Sequence, residues 1–189
     1  KLGIVCQILL FFVAIVWGSS FVVLKNTLDS ITPLWTMGLR FLISAAVLGL
    51  FAGKRLFKLS KDSYKGGGLL GLCVICAYLF QTYGLMFTTP GKNAFLTATY
   101  CVLTPILTWL IYKKKPGKAV LLAAVLCLAG IGCVSLNGGE GEAAFNIGDA
   151  LTLGCGVFFA LQIVFLEKYR EEVDAFSLNA MQFGIAGIF

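Results

Sequence analysis

The segment from Trp35 to Gly49 reads WTMGLRFLISAAVLG. It is apolar apart from Arg40, and no other charged residue occurs between residues 33 and 52. An α-helix needs about 20 mostly apolar residues to cross a hydrocarbon core roughly 30 Å thick. The stretch therefore predicts a membrane-spanning helix with a guanidinium inside it, and a charged group in that position requires a partner.

The composition of the whole chain also indicates a membrane protein. Of its 189 residues, 59% are hydrophobic and 13% are charged, whereas soluble domains are about half apolar and about a quarter charged. Six further segments contain no Asp, Glu, Lys or Arg, and they cover residues 2–24, 66–91, 93–112, 119–139, 150–166 and 175–189. A soluble domain does not need seven such segments, so we predict an all-α, polytopic membrane helix bundle.

These segments give seven predicted helices. They cover residues 3–24, 33–52, 66–88, 91–112, 118–136 and 148–167, and the seventh begins near residue 175. The sequence starts with Lys and stops inside an apolar run. We therefore expect further C-terminal helices of the same chain to pack against these seven.

The Lys and Arg residues are distributed unevenly between alternate loops. Twelve of the 15 lie at residue 1 or in loops 53–65, 113–118 and 167–174. The other three are Lys25, Arg40 and Lys92. Because cytoplasmic loops carry an excess of Lys and Arg, the pattern predicts a multi-pass protein of the cytoplasmic membrane with a cytoplasmic N-terminus.

A Gly-rich, acidic linker at residues 137–147 divides the chain into two units, residues 1–136 and 148–189. The first unit contains five predicted helices. Because five is an odd number, a second copy would enter the membrane upside down, as in the inverted repeats of many secondary transporters. A shift of 142 residues places Trp17 on Phe159 and Arg40 on Gln182, although few identical residues coincide.

Several short motifs occur in the order and spacing of a known family. They are WGSSF at 17–21, Pro33 with RF at 40–41, GL at 84–85 with TT at 88–89, KNAFL at 92–96 with Pro105, and IGD at 147–149. With these motifs, essentially the whole chain resembles the EamA-like family of the drug/metabolite transporter superfamily. The resemblance implies ten helices in two inverted five-helix repeats, of which this chain would hold the first repeat and the start of the second.

The resemblance also implies a secondary transporter that works by alternating access. Members of the family export or import amino acids, sugars, nucleotide precursors and drugs, so we expect an amino-acid-like or other small organic solute, with export favoured. Many relatives carry an acidic residue where the fourth and fifth helices meet, whereas this chain has KKKP at 113–116. This difference leaves the substrate open.

A row of polar residues runs along the fourth predicted helix. Its members follow at steps of three or four residues, on one helix face, and are Asn93, Thr97, Tyr100, Thr104 and Thr108. Amide and hydroxyl groups are poorly satisfied in lipid, so we expect the row to face the bundle. It either forms hydrogen bonds between helices or lines a cavity, and Pro105 predicts a kink beside it.

Other polar and aromatic residues complete the predicted site. The candidates for lining a substrate cavity are Trp17, Ser20, Arg40, Tyr78, Gln81, Lys92, Asn93, Thr97, Tyr100, Thr104 and Gln162. Trp17 lies well inside its helix, away from the membrane interfaces where tryptophan is enriched. It therefore either packs as core bulk or forms a wall of the cavity.

The two cations Arg40 and Lys92 have two interpretations. They either pair with acidic residues of the outer loops, namely Asp29, Glu140, Glu142 and Asp149, as Lys25 would also do, or, for Arg40, bond neighbouring carbonyls. Alternatively, they attract a carboxylate or another anionic group of the solute. The five donors of arginine form a fixed fork that suits a carboxylate.

The residue inventory argues against catalysis, metals and cofactors. The chain has no His, we expect no Asp or Glu inside a span, and no nucleophile lies beside a base. All seven Cys fall within predicted helices, and the CxxC at 73–76 has no second pair. The alternative to a transporter is a membrane-embedded enzyme or an assembly scaffold. The expected partners are the solute and the lipid bilayer, not nucleic acid, and a homo-oligomer is left open.

Overall fold

The computed structural model describes residues 2–59, 61–136, 145–169 and 173–188. These ranges contain no strand, as predicted for an all-α bundle, and one 3₁₀ helix, Gly53–Lys58. The α-helices are α1 (Leu2–Leu28), α2 (Pro33–Ala52), α3 (Lys61–Phe87), α4 (Pro90–Thr97), α5 (Tyr100–Tyr112), α6 (Lys118–Leu136), α7 (Ile147–Tyr169) and α8 (Ala175–Ile188). Residues 137–144 of the predicted linker, with Glu140 and Glu142, lie outside the described residues.

Among the described residues, five helical segments are long and apolar enough to cross a membrane, and they are Gly3–Leu28, Pro33–Leu56, Ser63–Phe87, Pro90–Tyr112 and Ile147–Tyr169. Lys118–Cys133 and Ala175–Ile188 are shorter apolar helices. Together these seven segments correspond to the seven predicted helices. The chain is a polytopic membrane helix bundle.

Helix α3 lies at the centre of the bundle. It packs along α7 and α8, and α2 packs along α8. Met37 and Phe41 of α2, Val74 of α3 and Ala186 of α8 form one buried apolar cluster. Helices α4 and α5 pack against α7. The two helices that follow the linker are therefore in direct contact with the first unit.

Helices α1 and α6 lie at the periphery. Phe11 and Val16 of α1, and Leu122 and Leu126 of α6, each leave more than half of their surface exposed. Apolar side chains exposed along a whole helix are costly in water and suit a helix that faces lipid. The positions of α1 and α6 thus agree with a membrane bundle.

Glycines allow α3 to approach its neighbours closely. A Cβ atom added at Gly67 would lie 2.5 Å from the side chain of Met181, and one added at Gly84 would lie 2.9 Å from the carbonyl oxygen of Gly148. Small residues at helix contacts let backbones come together in membrane bundles. The contact between α3 and α7 therefore depends on having no side chain at either Gly84 or Gly148.

The fourth predicted helix is interrupted at residues 98–99. The hydroxyl of Thr99 donates to the carbonyl of Leu96 at 2.7 Å, and the backbone N–H groups of Thr99, Cys101 and Val102 bond carbonyls three residues earlier. The kink predicted at Pro105, which lies inside α5, stays a prediction. The break coincides with a tertiary contact of Thr99 against Gly156 of α7, which sequence spacing does not reveal.

Helix α8 begins at an acidic cap. Asp174 precedes its first residue and accepts hydrogen bonds from the hydroxyl of Ser177 at 2.6 Å and from its backbone N–H at 3.2 Å. These bonds favour the charged carboxylate. They hold the pKa of the Asp174 carboxyl below its ordinary value.

Candidate functional site

Arg40 lies on α2 with its guanidinium carbon 5.4 Å from the ring centroid of Tyr78 on α3. At this distance an aromatic face attracts a cation. Within the described part of the chain, neither Asp29 nor Asp149 pairs with Arg40. The guanidinium therefore lies inside a membrane span. Its partner is an aromatic ring, and none of the described carboxylates pairs with it.

A cavity of about 470 Å³ lies between α1 and α2, with Arg40 in its wall. Four residues with hydroxyl groups share the lining, and they are Ser19, Ser20, Thr27 and Thr36. The Ser20 hydroxyl donates to the carbonyl of Trp17 at 2.6 Å, so its oxygen can still accept a bond from a ligand. As far as described residues form its wall, Arg40 is the one charged group of this cavity.

Aromatic rings form a row beside the guanidinium. Trp17 on α1 lies 6.4 Å from Tyr100 on α5, and Tyr100 lies 6.1 Å from Phe159 on α7, between ring centroids. Phe159 meets Tyr78 at 5.2 Å, and Tyr78 meets Phe41 at 5.0 Å, both edge to face. These are separations of interacting aromatic pairs. Trp17 is 44% exposed, so it is not core bulk, and it does not line the Arg40 cavity.

The polar row of the fourth predicted helix divides at the break. Before it, Asn93 and Thr97 are buried between α3 and α7. The Asn93 amide donates to the Gln81 carbonyl at 3.2 Å and to the Thr152 hydroxyl at 2.8 Å, and the Gln81 amide donates to the Thr97 hydroxyl at 3.1 Å. In this half of the row, the polar side chains therefore form hydrogen bonds between helices.

After the break, the row lines a groove. The Thr104 hydroxyl donates to the Tyr100 carbonyl at 2.7 Å. Tyr100, Thr104 and Thr108 form part of the wall of a groove of about 550 Å³ between α5, α6 and α7. This groove is distinct from the Arg40 cavity, and the two share no lining residue.

Lys92 and Asp149 form a buried ion pair between α4 and α7. Lys92 Nζ lies 2.6 Å from Asp149 Oδ2, and the side chains are 6% and 0% exposed. The Thr88 hydroxyl donates to the other carboxylate oxygen at 2.8 Å. Lys92 is thus paired with an acidic residue, as the first interpretation expects. Attraction of an anionic solute group by Lys92 stays a prediction.

Lys25 bonds carbonyls rather than an acidic loop residue. Its Nζ donates to the backbone oxygens of Leu85, Met86 and Thr88 at 2.6, 3.1 and 3.1 Å. Carbonyls at the C-terminal end of a helix have no intrahelical partner and interact well with a cation. The sequence predicts that the first helix ends at residue 24, whereas α1 continues to Leu28, since Lys25 finds these partners while still helical.

Gln162 lies in a separate polar contact between α7 and α8. Its amide donates to the side-chain oxygen of Gln182 at 3.2 Å, and the Gln182 amide donates to Asn179 at 2.5 Å. Gln182 is 2% exposed, and it is missing from the predicted site. Neither glutamine lines the Arg40 cavity, so the structure does not bring Gln162 together with Ser20 and Arg40.

Sequence reasoning misses Asp149 as a buried acid inside a span. The residue lies in the first turn of α7 and is 0% exposed, which corrects the expectation of no Asp or Glu inside a span. The sequence does contain a signal for the start of α7 at Asn146, three residues before Asp149. Asn146 and Asp149 bond each other's backbone N–H at 3.0 Å, the reciprocal spacing of a capping box. Phe159 is also missed, because a Phe inside an apolar run carries no distinguishing signal.

The arrangement around Arg40 suits binding rather than bond-making. A guanidinium can receive a carboxylate or another anionic group, and the hydroxyl groups in the same cavity wall can bond polar atoms of that ligand. Among the described residues, no group of three or more His, Cys, Asp or Glu could hold a metal. A second cavity, of about 250 Å³, lies between α2, α3 and α8. It is lined by apolar residues and contains no charged side chain among them.

Comparison with known proteins decides the family. The model of the EamA-like transporter family matches residues 4–136. The chain belongs to this family. No solved structure matches it significantly.

Three relatives show how far the similarity extends. An uncharacterized transporter of Archaeoglobus fulgidus is 36% identical over 84% of this chain and 48% of its own length. The uncharacterized transporter YvbV of Bacillus subtilis is 30% identical over 96% of this chain and 60% of its own. An S-adenosylmethionine/S-adenosylhomocysteine transporter of Chlamydia muridarum is 28% identical over 95% of this chain and 60% of its own length. The chain therefore spans about half to three-fifths of the length of these relatives.

Proposed function

We propose that the protein is a secondary transporter for small organic solutes that carry a carboxylate or another anionic group, amino-acid-like solutes among them. It moves them across the cytoplasmic membrane by alternating access, in the export direction. The observation that carries this proposal is Arg40, a permanently charged group inside a span, in the wall of a cavity, without a described carboxylate partner. Charged residues inside membrane spans mark substrate pathways in many transporters.

Two further observations support the proposal. The relative from Chlamydia muridarum is named for two solutes that both contain an amino-acid group. Residues 1–136 would form the first repeat, which agrees with the family match over 4–136, and residues 148–189 would open an inverted second repeat. Such a pair of repeats is the usual basis of alternating access. The excess of Lys and Arg in alternate loops supports a cytoplasmic N-terminus.

The anion preference is tested with matched solutes. The full-length protein is reconstituted into proteoliposomes, and transport of a panel of radiolabelled amino acids is compared with transport of their primary amides, which lack the negative charge. We expect the wild type to prefer the acids. Arg40→Lys should raise the apparent KM for the acids about tenfold, since the fork of two parallel bonds is lost, while the KM for the amides changes little.

The control is Arg55→Lys, the same replacement at an exposed position outside the cavity. It should leave both KM values unchanged. If Arg40→Lys instead lowers membrane yield and thermal stability while the surviving protein keeps its KM, Arg40 is structural and the proposed role in anion binding is wrong.

A further inference from the structure

The groove between α5, α6 and α7 has one cationic end and a mainly apolar body, which also carries the hydroxyl groups of Tyr100, Thr104 and Thr108. Lys114 and Lys115 lie at its mouth, where the chain passes from the end of α5 at Tyr112 to the start of α6 at Lys118. Its interior is lined by residues such as Pro105, Val120 and Ile163. The polarity along the groove therefore matches that of a molecule with an anionic head and an apolar tail.

The depth of the groove matches one membrane leaflet. The lining residues Tyr100 to Thr108 extend about 12 Å along α5 at 1.5 Å per residue, and half of a hydrocarbon core is about 15 Å. Lys114 and Lys115 are exposed beyond the helix end. A tail lying against α5 would therefore remain within the apolar layer while its head reaches both lysines.

We propose that this groove binds one anionic phospholipid, with the phosphate at Lys114 and Lys115 and an acyl chain along Pro105, Val120 and Ile163. Lysines beside a membrane helix attract anionic lipids, and the apolar wall selects a lipid over a free anion. This site is independent of the solute that the transporter carries, because it shares no residue with the Arg40 cavity.

The four lysines of this loop provide a matched test. Lys114→Gln/Lys115→Gln removes two charges from the groove, and Lys113→Gln/Lys118→Gln removes two charges that do not line it. Delipidated full-length protein is titrated with phosphatidylglycerol or phosphatidylcholine, and bound lipid is counted by native mass spectrometry. We expect the wild type and the Lys113/Lys118 variant to bind phosphatidylglycerol about tenfold more tightly than phosphatidylcholine, and the Lys114/Lys115 variant to lose this preference.

Two additional measurements make the result specific to the groove. Val120→Trp, which fills the groove without changing charge, should weaken phosphatidylglycerol binding. Cys101, which is exposed and lines the groove, should react with a maleimide as the sole cysteine and be protected by phosphatidylglycerol but not by inorganic phosphate.

Equal loss in both lysine variants would overturn the proposal, since net charge alone would then explain binding. Equal affinity for the two lipids, or protection of Cys101 by phosphate alone, would contradict it as well. A Cys101 that is unreactive in the delipidated full-length protein would mean that the protein's own chain covers the groove, and the proposal would fail.

Discussion

At the scale of single residues, charged side chains connect helices at one end of the bundle. The Lys92–Asp149 pair joins α4 to α7, and Lys25 joins α1 to the last carbonyls of α3. A buried ion pair contributes little net stability compared with an apolar pair of the same size, but removing one partner leaves an uncompensated charge. The pair therefore specifies which helices meet more than it strengthens their contact.

The coupling between Lys92 and Asp149 is testable by a double-mutant cycle. Lys92→Gln and Asp149→Asn should each lower the free energy of unfolding, by about 3–5 kcal/mol. The double variant should lose clearly less than the sum of the two, because no lone charge stays buried. Denaturant titration of the purified protein in mixed micelles measures the four values. Additive losses would show that the two side chains do not interact.

The residue scale also shows what the sequence could not predict. Lys92 and Asp149 are 57 positions apart, and either could meet several partners by charge alone. Their pairing depends on α4 and α7 lying side by side, which is a tertiary fact. For Arg40, the sequence identifies the unusual residue, while the ring of Tyr78 as its neighbour follows only from the packing of α2 on α3.

At the scale of helices, close contact depends on particular glycines, and α3 contains a matched pair for testing this. A Cβ at Gly84 would meet the Thr152 hydroxyl at 2.6 Å and the Gly148 carbonyl at 2.9 Å, whereas a Cβ at Gly68 would meet nothing within 4 Å. Gly84→Ala should therefore destabilise the protein by about 1–3 kcal/mol. Gly68→Ala should be neutral or slightly stabilising because alanine favours helix.

Thermal melting of the two purified variants in detergent compares them directly. A large loss of melting temperature is expected for Gly84→Ala alone. Similar values for both variants would mean that α3 and α7 are not in contact at Gly84.

The cap of α8 gives a pH-dependent contribution to stability. The Asp174 carboxylate is stabilised by Ser177, so its pKa in the folded protein lies below its ordinary value, which is about 3.9 in an unfolded chain. The contribution is therefore complete above about pH 4 and is lost as the pH falls through the lower, folded pKa.

Asp174→Ala should cost about 1 kcal/mol at pH 7, as for other helix caps. The difference from the wild type should stay constant between pH 5 and 8 and narrow below about pH 4. Melting curves of both proteins over this range provide the measurement. A difference that grows on acidification would contradict the cap.

Most helices could be predicted from hydropathy alone, because a membrane requires long apolar segments bounded by charge. The bounds of α2 at 33 and 52 and the start of α8 at 175 agree with the prediction. The errors lie where tertiary contacts override local signals. Carbonyl partners let α1 continue past Lys25, the Asn146–Asp149 cap starts α7 earlier, and the break before α5 lies at a contact with α7.

At the scale of the whole molecule, the two helices after the linker pack into the first unit, with α7 on α3 and α8 on α2. Trp17 and Phe159, which a shift of 142 residues aligns, both contact the ring of Tyr100. The repeat that we propose pairs these two positions.

Solute flux by the full-length protein in sealed proteoliposomes decides whether the protein is a transporter of this kind. We predict that uptake of an accepted amino acid saturates with concentration, and that the same unlabelled amino acid inside the vesicles accelerates it by counterflow. Both properties follow from one binding site that is open to one side at a time. Flux that rises linearly with concentration and shows no counterflow for any member of the panel would contradict the account.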